Sequence, residues 1–344
     1  MPISESAAFR RGLRRSFLFG LVVCLCMWSS VSAQPRDPRQ TIGATVADAP
    51  STAYRFERFV VDDGSGERCW RVTLGIPKRS APRAGFAALY MLDGNAALME
   101  FDPGLLGELA GAAHPPALVF VGYDNELRID SAARTRDYTP SAVIEGGERR
   151  GGGAEAFADA LLSRIQPEVR RRARLDRSRE ALWGHSLGGL FVLNLLYTQG
   201  DAFAAWLPAS PSLWWDQGLL LGAPERDFAE RRRSRPATLW IMQGEQERRA
   251  DDGARDRGDP RVAAHLARIA AVPADAAERL AERLDRKRGV RACYRSFAGL
   301  GHGPMLRASL RAAARIVATD PGAPCRWPDA VEPSVEQARP ASRP

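Results

Sequence analysis

Lysine is nearly absent from this sequence of 344 residues: of its 49 basic residues, only Lys78 and Lys287 are lysines. This bias towards arginine is typical of a GC-rich genome and gives little evidence for phosphate recognition, although the net charge is +8. No basic run is interleaved with aromatic residues, which argues against a nucleic acid partner. The glycines at 146–147 and 151–153 are not followed by lysine and a hydroxyl residue, so no phosphate-binding loop is expected.

Cysteine is also scarce, with five residues in total. Cys24 and Cys26 lie in an N-terminal segment that is expected to be removed, which leaves Cys69, Cys293 and Cys325. In an oxidising compartment we expect a disulfide between Cys293, in a predicted late strand, and Cys325, in the C-terminal tail. The alternative is three reduced thiols. No spacing is typical of a zinc site, and neither a metal nor an organic cofactor is predicted.

A hydrophobic run long enough for a good membrane span is missing as well. The apolar segment 17–28 is short, follows Arg14 and Arg15, and precedes a Val-Ser-Ala sequence that ends at Ala33. Residues 1–33 are therefore predicted to be a signal peptide, and the arginine pair leaves both the twin-arginine and the general export route open. A bulky valine before the first cysteine disfavours a lipoprotein site. We expect a periplasmic or secreted protein without a stable membrane anchor.

The rest of the chain divides into three parts. Residues 34–52 are polar and contain prolines, and they are predicted to form a flexible arm. Residues 53–320 are predicted to be the folded domain, and residues 321–344, rich in Pro, Ala and Arg, a disordered tail. Two alternating strands, 54–62 and 68–76, flank an Asp-Gly-Ser-Gly turn and predict an antiparallel hairpin. The alternating strands and helices that follow predict an α/β fold with a mostly parallel, doubly wound sheet.

Catalytic groups of such a sheet belong at the carboxyl ends of its strands. Polar or glycine-rich segments follow the predicted strands at residues 93–95, 122–125, 208–215, 244–247 and 298–304. Two further segments are predicted to be a polar loop, at 126–140, and a charged connection, at 219–236.

One strand-to-helix turn carries the sequence Gly-His-Ser-Leu-Gly-Gly at residues 184–189. A short apolar strand precedes it and an apolar helix follows it, which is the context of a nucleophile elbow, G-x-S-x-G. Side chains in place of Gly184 and Gly188 should collide with the neighbouring strand and helix, and the serine should adopt a strained conformation. Ser186 is therefore predicted to be a nucleophile, and the N–H of Leu187 an oxyanion donor.

A serine hydroxyl needs a base, usually a histidine, and the chain has four histidines. His114 precedes two prolines at the start of a strand, which is the wrong edge of the sheet. The side chain of His185 should point away from the neighbouring nucleophile, and His265 lies within a polar helix. His302 follows the last predicted strand between two glycines, in a loop that can reach Ser186, and it is the predicted base.

The acid should follow the preceding strand, in the order serine, acid, histidine. Glu245 and Glu247 both lie there. Glu247 is preferred because a turn of a few residues brings the chain back beneath the imidazole, with Glu245 as the alternative and a Ser–His dyad as a third possibility. The second oxyanion donor is expected after the strand 86–92, from the N–H of Asn95 or of Gly94.

Taken together and in this order, the motifs resemble the Putative esterase (esterase D-like) branch of the α/β-hydrolases. The segments that carry the likeness are 90–95, 121–123, 134–140, 151–157, 184–189, 210–215 and 301–302. Within the branch, the chain is most similar to the periplasmic esterases that open trilactone catecholate siderophores, the enterobactin and salmochelin hydrolases. The resemblance implies an α/β-hydrolase fold with Ser186 as nucleophile and His302 as base. The chain departs most from the family pattern in its charged segment 248–259.

The resemblance implies a small ester as substrate, in particular a lactone of an anionic ferric siderophore. Arg134 and Arg136 are then predicted to attract this anion, and Trp214 and Trp215 to stack on its catechol rings. The alternatives are an ion pair between Arg136 and its neighbour Asp137, and tryptophans that pack in the core. Two other functions stay open: an esterase or acyltransferase for acylated carbohydrates, and a non-catalytic protein that binds a siderophore or a partner.

Overall fold

The computed structural model describes residues 39–145, 148–232, 234–248 and 260–320, together with Cys325 and Trp327. The predicted signal peptide, nearly all of the predicted tail and most of the charged segment 248–259 lie outside the described residues. The described strands are β1 Tyr54–Asp62, β2 Cys69–Pro77, β3 Phe86–Met91, β4 Ala117–Tyr123, β5 Ala142–Glu145, β6 Glu148–Gly151, β7 Leu175–His185, β8 Ala205–Ala209, β9 Ala237–Gly244 and β10 Val290–Phe297.

Helices connect most of these strands. The α-helices are α1 Gly94–Met99, α2 Pro103–Gly111, α3 Ser131–Tyr138, α4 Ala154–Ala160, α5 Gln166–Arg172, α6 Leu187–Thr198, α7 Ala223–Glu230, α8 Pro260–Ala270, α9 Ala276–Asp285 and α10 His302–Thr319. A π-helical turn, Leu161–Ile165, joins α4 to α5, and 3₁₀ turns occupy Trp215–Leu221 and Glu245–Arg248.

Within the described residues, eight strands form one sheet in the order β1-β2-β4-β3-β7-β8-β9-β10. β2 is antiparallel to both β1 and β4, and the other neighbours run parallel. The predicted α/β-hydrolase architecture, a mostly parallel sheet with an N-terminal antiparallel hairpin, is thereby confirmed. The inner strands β3 and β4 are buried along their whole length, which explains why their sequences are continuously apolar.

Side chains of alternate residues in the strands pack into two hydrophobic clusters. In β4, Val119 and Val121 belong to one cluster and Leu118 and Phe120 to the other. Because successive side chains of a strand point to opposite faces, the two clusters cover opposite faces of the sheet. Helices α4, α6 and α9 pack on the first face, and α1, α2 and α10 pack on the second.

Two segments for which no helix was predicted contain helices. Helix α3 lies in the predicted polar loop, where the carboxylate of Asp130 caps it by accepting a hydrogen bond from the N–H of Ala133 at 2.9 Å. Helix α7 lies in the predicted charged connection. The prediction of a loop was wrong for the residues of α3, because a short helix rich in charged residues carries little of the apolar periodicity by which helices are recognised.

The described part of the predicted arm, residues 39–52, makes specific contacts with the domain. Thr41 forms a β-bridge with Leu127, and the N–H of Ile42 donates to the carbonyl of Glu126 at 2.8 Å. At the other end of the chain, the expected disulfide joins Cys293 to Cys325. Among the described helices, none is both long and apolar enough to cross a membrane.

Candidate active site

Ser186 lies between β7 and α6 with φ 62° and ψ −118°, the strained conformation expected of a nucleophile elbow. A Cβ atom at Gly184 would overlap the carbonyl oxygen of Gly188, as predicted. The predicted collision at Gly188 itself was wrong, because a Cβ there would meet its nearest atoms at 3.6 Å. The second close approach occurs one residue later, where a Cβ at Gly189 would lie 2.8 Å from the carbonyl oxygen of Ala209.

The structure brings Ser186, His302 and Glu247 together at the carboxyl edge of the sheet. Nε2 of His302, the first residue of α10, lies 3.0 Å from Oγ of Ser186. Nδ1 of the same ring lies 2.7 Å from Oε2 of Glu247, in the turn after β9. The alternative acid, Glu245, instead accepts a hydrogen bond at 3.0 Å from the N–H of Gly299.

Three hydrogen bonds hold the Glu247 carboxylate. Besides the contact with His302, its Oε1 atom accepts from the Ser210 hydroxyl at 2.6 Å and from the N–H of Gly244 at 2.8 Å. Burial raises the pKa of Glu247, but the hydrogen bond and charge of His302, with the other two donors, lower it by more. The net pKa lies below the ordinary value, so the carboxylate is ionised at neutral pH. It therefore accepts the Nδ1 hydrogen of His302 and leaves Nε2 free to accept from the serine.

The segment predicted to supply the second oxyanion donor begins α1. Asp93 adopts a left-handed conformation with φ 50°, and a Cβ at Gly94 would lie 2.6 Å from the N atom of Gly122. The N–H groups in the first turn of a helix have no acceptor within the helix, which is the position of Gly94 and Asn95 in α1 and of Leu187 in α6. The amide side chain of Asn95 fixes the loop by donating to the carbonyls of Tyr123, Asn125 and Leu127.

The two arginines predicted to attract an anion are both in ion pairs. Arg134 donates to both carboxylate oxygens of Asp93 at 3.0 and 2.9 Å, and to the carbonyl of His185 at 3.2 Å. Burial lowers the pKa of Arg134, but the Asp93 carboxylate raises it above its ordinary value. The side chain of Arg134 is only 12% exposed and is engaged by Asp93, so the structure does not support its predicted role in attracting an anion. Arg136 pairs with Asp137 at 2.6 Å, yet its side chain is 44% exposed.

The two neighbouring tryptophans also differ in their surroundings. Trp215 is buried, and its indole N–H lies 3.2 Å from both the carbonyl and the hydroxyl oxygen of Ser141. The predicted stacking of Trp215 on a substrate is therefore wrong, because this ring packs in the core. Trp214 is only partly buried, with its ring 4.8 Å from that of His265 and 5.8 Å from the Arg268 guanidinium.

Three residues of the site were missed or set aside at the level of sequence. Ser210 donates to Glu247, and Oγ of Ser212 lies 3.3 Å from Oγ of Ser186. Both belong to the Ser-Pro-Ser segment after β8, whose position at a carboxyl strand end was the available signal. His185 was excluded as the base, but its ring contacts the ring of His302.

Comparisons with known proteins show the family to which the chain belongs. Residues 65–312, which include Ser186, Glu247 and His302, match the family model described as Putative esterase. The apo-salmochelin esterase of Escherichia coli O6:H1 is 33% identical over 303 residues, which cover 86% of this chain and 89% of that protein. The ferri-bacillibactin esterase BesA of Bacillus subtilis is 30% identical over 251 residues, which cover 68% of this chain and 80% of that protein.

Solved structures of related hydrolases have the same fold. A structure described as the enterobactin and salmochelin hydrolase IroE aligns with a TM-score of 0.60 at 33% identity, covering 79% of this chain and 98% of that one. The siderophore hydrolase EstB from Aspergillus nidulans aligns with a TM-score of 0.62 at 23% identity, covering 79% and 97%, and shares the fold.

Proposed function

The chain belongs to the Putative esterase family and is a carboxylic ester hydrolase, and from this premise we propose that Ser186, His302 and Glu247 form its catalytic triad. The observation that carries the proposal is the unbroken line of hydrogen bonds from the serine hydroxyl through the imidazole to the carboxylate, at 3.0 and 2.7 Å. Further support comes from their places in the fold: Ser186 lies in a strained turn, His302 at the start of α10 and Glu247 in the turn after β9.

In the first half of the reaction, Nε2 of His302 removes the proton of Ser186 while Oγ attacks the ester carbonyl. Glu247 stays ionised, keeps the Nδ1 hydrogen in place and stabilises the imidazolium that forms. The N–H of Leu187 and that of Asn95 or Gly94 hold the developing oxyanion. The tetrahedral intermediate then collapses, the alcohol leaves with the proton from His302, and an acyl group remains on Ser186.

The second half repeats these steps with water. His302 removes a proton from a water molecule, which attacks the acyl-enzyme carbonyl, and the same oxyanion donors stabilise the second tetrahedral intermediate. The proton returns from His302 to Oγ of Ser186, and the acid is released. One water molecule is consumed for each ester bond.

The substrate in this proposal is a lactone ester of a catecholate siderophore, with iron or without it. Two relatives that are at least 30% identical over two thirds or more of this chain are named as esterases of salmochelin and bacillibactin. Of the four residues predicted to bind the substrate, Arg136 and Trp214 retain accessible surface. An exposed guanidinium attracts a ferric tricatecholate anion, and a partly exposed indole offers a face for a catechol ring.

The site of action in this proposal is the periplasm or the medium. The basic and apolar character of residues 1–33 supports export. The disulfide between Cys293 and Cys325 supports an oxidising compartment, because cytosolic proteins rarely keep such bonds.

Product analysis tests the proposal. Purified protein is incubated with an iron-free and a ferric trilactone siderophore, and the products are identified by mass spectrometry. We expect ring-opened products that gain one water for each cleaved ester, and none with Ser186→Ala. A parallel panel of feruloyl and acetyl-sugar esters tests the other substrate class, since rapid sugar deacylation without lactone opening would replace the siderophore assignment. A wild-type protein that takes no fluorophosphonate label on Ser186 would overturn the triad.

A further inference from the structure

His185 ends β7 directly before Ser186, and it is buried, with 2% of its surface exposed. Its ring lies against the ring of His302, with the centroids 4.7 Å apart and the planes inclined by 39°. Its Nε2 atom lies 3.0 Å from the backbone carbonyl oxygen of His302. The two histidines therefore meet where the elbow touches the start of α10.

The direction of this hydrogen bond follows from its acceptor. A carbonyl oxygen only accepts, so Nε2 of His185 carries the hydrogen and donates. His302 is thus held at three atoms: its backbone oxygen by His185, Nδ1 by Glu247 and Nε2 by Ser186. Of these contacts, the one from His185 fixes the backbone from which the imidazole extends.

A second contact holds the backbone of His185. Its carbonyl oxygen accepts a hydrogen bond from Arg134 at 3.2 Å, and the same guanidinium binds both carboxylate oxygens of Asp93. Asp93 precedes the two candidate oxyanion donors of α1. Residue 185 therefore connects three parts of the site: the oxyanion loop through its carbonyl, the helix of the base through its ring, and the nucleophile through the chain.

We propose that His185 is a positioning residue, which sets the distance between His302 and Ser186 by holding the first residue of α10 against the elbow. The inference rests on the proposed function, in which His302 is the base. The loop before His302 contains Gly299 and Gly301, and these residues give its backbone little stiffness of its own. Hydrogen bonds to the turn after β9 hold Gly299 and Leu300, and the hydrogen bond from the buried His185 side chain adds the restraint at His302 itself. Because the nucleophile and the base must stay within hydrogen-bond reach, a small shift of α10 lowers the rate of chemistry more than it weakens substrate binding.

Two substitutions distinguish the effect of the Nε2 donor of His185 from the effect of its aromatic ring. His185→Phe keeps an aromatic ring and loses the donor, whereas His185→Gln keeps a nitrogen donor at similar reach. With a p-nitrophenyl ester as substrate, we expect His185→Phe to lower kcat about tenfold, equivalent to about 1.4 kcal/mol, with KM within about twofold of wild type. His185→Gln should recover kcat to within about threefold of wild type. The matched control is His114→Gln, an exposed histidine at the opposite edge of the sheet, whose kinetics should not change.

The rate of fluorophosphonate labelling provides a second measurement, because it requires an activated serine but no bound ester. Labelling of His185→Phe should slow about tenfold while the melting temperature stays close to wild type. A variant that labels and turns over at the wild-type rate would overturn the inference. So would a lower melting temperature with an unchanged kcat per titrated active site, since that result describes a merely structural residue.

If His185→Phe does not fold, the comparison moves to two polar variants. Glutamine reaches the position of Nε2, and asparagine is too short to do so, so His185→Gln should retain a several-fold higher kcat than His185→Asn. Equal values would overturn the inference. An inactive wild-type protein would instead mean that the proposed function fails, so the two failures are distinguishable.

Discussion

The Ser210 hydroxyl donates a hydrogen bond of 2.6 Å to Oε1 of Glu247, the carboxylate oxygen that does not face His302. Ser210 makes this contact from a buried position with φ 42°, in the left-handed region that few residues other than glycine adopt. A strained residue at this place indicates that the surrounding structure holds the hydroxyl against the acid. The acid of the proposed triad is thereby fixed from two sides.

Removal of the Ser210 hydroxyl should lower activity, because Glu247 then loses a hydrogen bond that holds its carboxylate. We expect Ser210→Ala to reduce kcat about tenfold, because a hydrogen bond to a charged group contributes about 1.5–3 kcal/mol. Ser210→Gly should lose a similar factor in kcat but remain more stable than the alanine variant, since glycine adopts a positive φ without strain. Kinetics and urea unfolding of the two variants test this. Wild-type kcat in both would show that the hydroxyl has no part in positioning Glu247.

Neutralising Glu247 should lower kcat far more than neutralising Glu245. Glu247→Gln keeps the shape of the side chain but removes the charge that stabilises the imidazolium, so we expect kcat to fall about 100-fold or more. Glu245→Gln affects a carboxylate that contacts the N–H of Gly299, and kcat should stay within about threefold of wild type. Steady-state kinetics on one ester measures both variants. An active Glu247→Gln enzyme would identify the site as a Ser–His dyad.

The disulfide between Cys293 and Cys325 should stabilise the domain. It closes a segment of 32 residues, and Trp327, two residues beyond, packs edge-on against Trp240 at 4.9 Å. We expect Cys325→Ser to lower the free energy of unfolding by about 2–4 kcal/mol, measured by urea unfolding under oxidising conditions. Cys69→Ser, at the one described cysteine outside the disulfide, is the control and should change stability by less than about 0.5 kcal/mol. Equal stability of Cys325→Ser and wild type would contradict the prediction.

Asp48 should titrate far below an ordinary aspartate. The hydroxyl of Thr45, with further hydrogen bonds from the Thr45 N–H and Arg58, lowers the pKa of Asp48 to about 2. An unfolded aspartate has a pKa of about 3.9, so the stabilisation from this carboxylate is complete above that pH and is lost as the pH falls through about 2. NMR titration of the side-chain carboxyl measures the midpoint. Thr45→Val should move it upwards, and a wild-type midpoint near the ordinary value would mean that these contacts do not persist.

Parts of the site could be predicted from sequence where neighbouring residues alone determine the local structure. The elbow at Ser186 needs only a few residues, because a tight strand-to-helix turn restricts which side chains fit around the serine. His302 followed from the small number of histidines and from the edge of the sheet at which each strand ends. Glu247 could be named as the favoured candidate only, since choosing it over Glu245 depends on the direction in which a short turn curls.

Contacts between distant parts of the chain could not be predicted. Arg134 and Asp93 are 41 residues apart in sequence, and nothing in either segment shows that they pair in the interior. Helix α3, which carries Arg134, has few apolar residues, and its capping residue Asp130 was the main local signal for it. The burial of Trp215 likewise depends on Ser141, which reaches it from another loop.

Substitution of the two arginines should separate the structural role from the binding role. Arg134→Met leaves the Asp93 carboxylate buried without its partner, and we expect the free energy of unfolding to fall by about 3–5 kcal/mol in urea unfolding. Arg136→Met removes a guanidinium that is 44% exposed, but its partner Asp137 is fully buried and, among the described residues, keeps only the hydrogen bond from the Trp70 indole N–H, so the free energy of unfolding should fall here as well. The two variants should differ in binding, because Arg136→Met alone should raise KM for a ferric tricatecholate without raising KM for a neutral p-nitrophenyl ester. The rise in KM should shrink at high salt, because screening weakens attraction between an exposed cation and an anion. A stable Arg134→Met protein with a raised KM for the anion alone would reverse the two assignments. Arg134 would then bind the substrate, and other donors would hold the Asp93 carboxylate.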